Sequence, residues 1–213
     1  MNFNKINLPY KKVSYLKKPD DLTLEEWQYA LRKQFAETHL FNIKNKGTHP
    51  VFSDFDVYNP ETKLTYKVAL RSKDNSANFC ECGDFKTNGL GTCKHIEAVF
   101  RYIDTVLNKS HLLNNGYNPA YTSIYLDYRG ECKVKIRIGS ENTDEFQALA
   151  GKYFDSNKTL LKDTFDVFNE IIIQGKTINE NFRCYPDALS FIIETPRGSQ
   201  TQQISTGKIP FAG

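Results

Sequence analysis

The sequence predicts an α+β protein, and three observations predict it. Residues 23–38 read as a capped amphipathic helix. Two β-rich stretches, 51–58 and 64–71, run into NFCECGDFKTNGLGTCKHIEAVF, where three cysteines and a histidine crowd the mouth of a second amphipathic helix. Farther on, SIYLDYRGECKVKIRIG alternates on both sides of Arg129-Gly130, the pattern of a hairpin. The expected architecture is a small ββα module with an N-terminal helix, followed by a domain of one β-hairpin plus helices.

In the first helix Thr23 can cap the free amides, and Glu26, three residues on, can reach back to it. Trp27, Leu31 and Phe35 then recur at four-residue spacing and form an apolar stripe. Residues 41–43, 51–58 and 64–71 follow as strands, the last two joined by Asn59-Pro60-Glu61-Thr62-Lys63, a turn by its proline and polar neighbours. Residues 94–107 put Ile96, Val99, Phe100, Ile103 and Leu107 on one helix face and Lys94, Glu97, Arg101 and Asp104 on the other. The Asn-rich segment 108–120 reads as a linker or long loop. After the hairpin, helices are expected at 144–153, 159–173 and 186–194, the last with Pro186 in its first turn. Domain boundaries follow: an arm and helix over 1–39, the cysteine-bearing module over 40–110, a linker over 111–120, the hairpin-plus-helices domain over 121–195, and a disordered tail or truncated end over 196–213.

Composition narrows the class. A chain of 213 residues with 39% hydrophobic and 13% aromatic content can bury a core and is too apolar for a disordered protein. No apolar run approaches membrane-spanning length and no signal-peptide core opens the chain, so a cytoplasmic protein with no membrane partner is expected. The net charge of +3 is unevenly spread, with 17 Lys+Arg against 13 Asp+Glu before residue 111. Lys11, Lys12, Lys17 and Lys18 cluster at the start; such a run meets phosphates in some proteins and is a solvated tail in more.

Five cysteines without an export signal argue against a disulfide framework. Cys80, Cys82, Cys93 and His95 fall within sixteen residues, while Cys132 and Cys184 lie far away. Thiolate with imidazole is the usual ligand set of structural zinc, which takes four protein ligands in a tetrahedron. A one-residue gap within each pair requires an extended or kinked strand end, and Gly83 with the 88–91 stretch supplies the freedom to return the chain to the helix. Ordinary buried cysteines are the bland reading, an iron–sulfur cluster would call for four thiolates, and a catalytic zinc would keep a position open. The expected cofactor is therefore a structural zinc held by these four residues.

The run Cys80-x-Cys82…Cys93-x-His95, preceded by two strands and followed by an amphipathic helix, resembles a SWIM zinc finger over about residues 40–107. That module occurs in bacterial Swi/Snf-type helicase-like ATPases, Mutator-type transposases and some ubiquitin-ligase proteins. The resemblance implies DNA or protein binding without catalysis, and the order of module, hairpin and helices is similar to the region ahead of the motor in the bacterial Swi/Snf-type proteins. The motor itself has no counterpart: Gly207-Lys208 has Gln202 at the first glycine position of a phosphate loop and Ile209 after the lysine, and the other two Gly-Lys pairs, Gly151-Lys152 and Gly175-Lys176, have Phe146 and Glu170 at that position.

Candidate phosphate contacts are Lys86, Lys94 and Arg101 around the cysteines, and Lys133, Lys135 and Arg137, which alternate with Val134, Ile136 and Ile138 on the hairpin. A solvated outer face explains that row equally well. Asp127 with Glu131-Cys132-Lys133 brings restriction-type nucleases to mind, but the acids straddle one turn, too close for a metal-binding pair. No nucleophile-base pair, dinucleotide loop or HExxH appears. The expected function is thus a non-catalytic module that binds nucleic acid, duplex DNA first and RNA as the alternative ligand, targeting a helicase-like remodelling system in cis or in trans. The alternative is a protein-interaction adaptor that docks or regulates a separate ATPase.

Overall fold

The computed structural model describes residues 12–195, so Lys11 and the expected tail at 196–213 lie outside the described residues. Helix α1 (Leu24–Thr38) starts with the capping box the sequence predicts: the Glu26 amide donates to Thr23 Oγ1 at 3.2 Å and the Thr23 amide to Glu26 Oε2 at 2.8 Å. The stripe of Trp27, Leu31 and Phe35 is only half-buried, while Gln34 and Ala36 are buried. Gln34 is buried because its amide group clamps the preceding chain, accepting from the Val13 amide at 2.8 Å and donating to the Val13 carbonyl at 3.1 Å.

Four strands follow, β1 (Asn42–Asn45), β2 (Asp54–Asn59), β3 (Leu64–Ala69) and β4 (Phe79–Cys80), in one antiparallel sheet ordered as in the chain. Phe55 and Val57 of β2 and Val68 of β3 are buried, as the alternation implies. Helix α2 (Gly83–Thr87), which the sequence reading missed, precedes α3 (Lys94–Thr105). Ile96, Val99 and Ile103 of α3 are buried as expected. Glu97, expected on the solvent face, is instead buried, because its carboxylate accepts the Thr92 hydroxyl at 2.7 Å beneath the incoming loop.

The segment expected as a linker contains a 3₁₀ helix (Ser110–Asn115) and buries Leu113. Beyond it β5 (Ser123–Asp127) and β6 (Lys133–Arg137) form the expected hairpin, and a short strand β7 (Arg183–Cys184), unforeseen, pairs parallel to β5. Helices α4 (Thr143–Tyr153), α5 (Phe168–Ile178) and α6 (Pro186–Glu194) complete the second half.

The helix expected at 159–173 is displaced to α5. Asp155 accepts the Asn157 and Thr159 amides at 2.9 and 2.8 Å, and the Leu160 amide donates to the Val134 carbonyl at 2.8 Å, so residues 155–160 close a loop against β6. A 3₁₀ helix (Lys162–Val167) then leads into α5. Gly175 lets α5 pass beneath Phe182, whose ring a Cβ would meet at 2.6 Å.

The buried core is continuous from β2 and β3 through α3 to β5, β6 and α5. Phe85 and Tyr128 pack at 4.6 Å between ring centroids, and the Gly130 amide donates to the Gly89 carbonyl at 2.6 Å. The hairpin turn thus rests on the loop between the two Cys/His pairs. Among the described residues no helix is long and apolar enough to cross a membrane.

Candidate metal centre and the cleft beside it

Backbone geometry explains the tight spacing. Cys80 ends β4 and Cys82 keeps extended dihedrals (φ −69°, ψ 149°), so the two side chains share one face while Glu81 points away, its carboxylate accepting the Lys67 amide at 3.2 Å. Cys82 also caps α2, its Sγ accepting the Phe85 amide at 3.4 Å. Cys93 is the N-cap of α3 and His95 lies in its first turn. All four are buried, and one ligand atom from each lies within 4.8 Å of every other.

The arrangement fits a single ion. His95 Nδ1 stands 3.7 Å from Cys80 Sγ and 4.0 Å from Cys93 Sγ. Metal–sulfur bonds of about 2.3 Å and metal–nitrogen bonds of about 2.0 Å give tetrahedral S···N edges of about 3.5 Å. On these two edges a contraction of a few tenths of an ångström reaches that geometry. His95 is held by Tyr66, stacked at 4.2 Å, and Phe41, edge-on at 5.6 Å, while its buried Nε2 has no hydrogen-bond partner among the described residues.

The protonation pattern says why a cation belongs here. Cys82 is driven far below the usual thiol range, chiefly by accepting from Cys80 and then from Cys93. Cys80, as the donor to Cys82, is pushed up, and burial pushes Cys93 up. Burial and the mutual contacts of the three thiols thus oppose ionising all of them together, whereas a divalent cation would displace the thiol protons and offset most of the buried charge. The structure shows a buried Cys₃His cluster that could hold a metal ion, with Cys132 and Cys184 outside it.

The loop between the pairs depends on Gly89 and Gly91, both at φ +67°. A Cβ on Gly91 would meet the Asn75 carbonyl oxygen at 2.6 Å and Arg129 Cγ at 2.7 Å. Gly83 does not serve as the sequence suggested: it sits in α2 with ordinary φ and open space around it. Helix α1 braces the loop, with the Tyr29 hydroxyl donating to the Leu90 carbonyl at 2.6 Å and Arg32 pairing with Asp84 at 2.5 Å.

The six basic candidates divide. Lys86, Arg101 and Lys133 are exposed. Lys94 Nζ lies 4.6 Å over the Phe35 ring, and Lys135 stands 4.0 Å from Asp127, itself gripped by Arg129 at 3.0 and 3.2 Å. Arg137 faces a cleft of about 530 Å³ between the two sheets, where it joins Arg71 and Arg183, neither of them foreseen. The available signal was the tyrosines at 117, 121, 125 and 185: Arg137 lies over Tyr117 and Tyr125 at 5.1 and 4.9 Å, and Arg183 over Tyr121 at 3.7 Å.

Comparison with known proteins finds no family model, no curated protein and no solved structure that matches this chain.

Proposed function

We propose that the chain is a SWIM-type zinc-binding module that binds nucleic acid and carries no catalysis of its own. The observation that carries the reading is the buried Cys₃His cluster in the CxC…CxH spacing, with all four ligand positions supplied by protein. A lone histidine among three cysteines, within single-ion distances, favours zinc over an iron–sulfur cluster. Bound zinc supplies a charge-neutralising cross-link and nothing reactive. The chain's residues do the rest: Cys80 and Cys82 tie β4 to α2, Cys93 and His95 tie both to α3, and the loop from residue 88 to 92 is presented to the hairpin turn.

Exposed Lys86, Arg101 and Lys133 supply point charges for a phosphate backbone, and Arg137 supplies a planar fork at the cleft mouth. Duplex DNA is the expected ligand and RNA the alternative, in the service of a helicase-like remodelling system in cis or in trans. An adaptor role for a separate ATPase is favoured by one observation, a groove of about 730 Å³ between α1, α2 and the hairpin turn, walled by Leu24, Tyr29 and the backbone of Gly89 and Gly130.

Fluorescence anisotropy of zinc-loaded protein against labelled duplex DNA, single-stranded DNA and RNA, across a salt series, decides between them. Micromolar or tighter binding whose log affinity falls linearly with log salt supports the nucleic-acid reading, and the slope counts the phosphates engaged. Absence of binding to all three at low salt removes it and leaves the adaptor reading.

A further inference from the structure

The cleft between the two sheets has a charge arrangement that fold stability does not account for. Four carboxylates line it, and each already has a partner: Asp54 in Arg71, Asp56 in Lys46 at 3.6 Å and Glu81 in Lys67 at 3.9 Å, all three cations lining the same cleft, and Asp187 in the Tyr128 hydroxyl at 3.1 Å. Arg137 and Arg183 have no carboxylate partner among the described residues and meet only tyrosine faces. Arg71 is 8% exposed, and its Nε is buried with no hydrogen-bond partner among the described residues.

One chain of tyrosines gathers these guanidinium groups. Arg71 and Arg137 share the Tyr117 ring at 5.4 and 5.1 Å, the Tyr117 hydroxyl meets that of Tyr121 at 2.5 Å, and Tyr121 meets Tyr185 at 3.4 Å. Stacking on the rings fixes the planes of the forks, so little rotamer freedom remains to be lost on binding. Ala69, Ala77, Phe79, Leu126 and Pro186 add apolar lining. Cleft volume lies within the usual range of small-ligand sites.

We propose that this cleft binds a phosphoryl group carried on a flat apolar body, the chemistry of a mononucleotide, free or at one position of a strand. A carboxylate is satisfied by one guanidinium fork, whereas Arg137 and Arg183, the two forks without a carboxylate partner among the described residues, suit the double charge of a terminal phosphate. The apolar lining takes the base, and Arg137 with Arg183 takes the phosphate alongside the buried Arg71. The site is independent of the metal and shares only its phosphate chemistry, and Arg137, with the nucleic-acid reading.

Isothermal titration of the zinc-loaded protein with adenosine 5′-monophosphate, adenosine, inorganic phosphate and 5′-phosphorylated or unphosphorylated oligonucleotides tests it. The nucleotide is expected to bind at roughly millimolar or tighter affinity, at least tenfold better than adenosine and better than inorganic phosphate alone. Arg137→Gln and Arg183→Gln should each weaken nucleotide binding at least fivefold without moving the unliganded Tm, whereas Lys152→Gln, at an exposed position outside the cleft, should leave binding unchanged. Preference for the 5′-phosphorylated oligonucleotide assigns the site to a strand end, and binding of the free nucleotide alone assigns it to a small molecule. Equal affinity for adenosine and its phosphate, no heat with the nucleotide, or indifference to both arginine variants overturns the proposal. Loss of strand binding with nucleotide binding retained overturns the nucleic-acid reading instead.

Discussion

Replacing Phe85 by alanine probes whether the metal module and the hairpin form one packed body. Phe85 is 0% exposed, packs on Tyr128 at 4.6 Å and on Phe79 at 5.9 Å, and sits in the short helix that Cys82 caps. Truncating a fully buried phenylalanine costs about 3–5 kcal/mol from lost transfer energy and the cavity left behind. For a chain of this size each kcal/mol moves the melting temperature by about 2–4 °C, so Phe85→Ala should melt roughly 6–20 °C lower. Thermal and urea unfolding followed by far-UV circular dichroism, on zinc-loaded protein, measures both quantities. A double-mutant cycle with Tyr128→Leu should return a coupling of about 0.5–1.5 kcal/mol from the ring pair. A loss below about 1 kcal/mol together with zero coupling would refute the claim that these rings join the two halves.

Chelation should lower the melting temperature by roughly 8–16 °C relative to protein at a free zinc level a thousandfold above Kd, since that saturation contributes about 4 kcal/mol. Calorimetric scans with and without chelator check this, and Cys93→Ala should abolish the difference. Gly91→Ala forces a Cβ onto a backbone at φ +67° and into the Asn75 carbonyl, so it should cost about 2 kcal/mol or more by urea denaturation, with Gly83→Ala nearly neutral. Cys184, pushed up to about 12 by burial, should carry about a thousandfold less thiolate at pH 8 than an ordinary thiol, and mass-spectrometric alkylation should find it slow. Because its folded pKa lies above the unfolded one, the stability it lends is intact below about pH 9 and fades as pH rises toward 12. Cys184→Ala should therefore soften the alkaline limb of the stability profile while leaving stability between pH 6 and 8 flat.

Local signals were legible where one segment carries them. The capping box at Thr23 and Glu26, the apolar face of α3, the hairpin at Arg129-Gly130 and Pro186 opening α6 were all readable from spacing. The cluster that could hold a metal ion was readable too, since four ligand-type residues in two matched pairs are a sequence-local feature. Features that depend on side-chain bonding outside the periodic pattern, or on distant partners, were hidden. Glu97 looked solvent-facing because its helix position says nothing of Thr92 above it. The displaced α5 reflects the bonding of Asp155 to two amides and of Leu160 to β6, a competition that helical periodicity does not register. The arginine cleft assembles from residues 71, 137 and 183, more than a hundred positions end to end, so only folding reveals it.

The most direct test of the central claim is the metal content of the purified, undialysed protein, measured by elemental analysis alongside thiol alkylation under native conditions. One zinc per chain, with Cys80, Cys82 and Cys93 protected until chelator is added while the half-buried Cys132 reacts at the same rate with and without chelator, is the predicted result. A folded, metal-free protein whose three cluster thiols alkylate as readily as Cys132, or one holding iron with acid-labile sulfide, would contradict it.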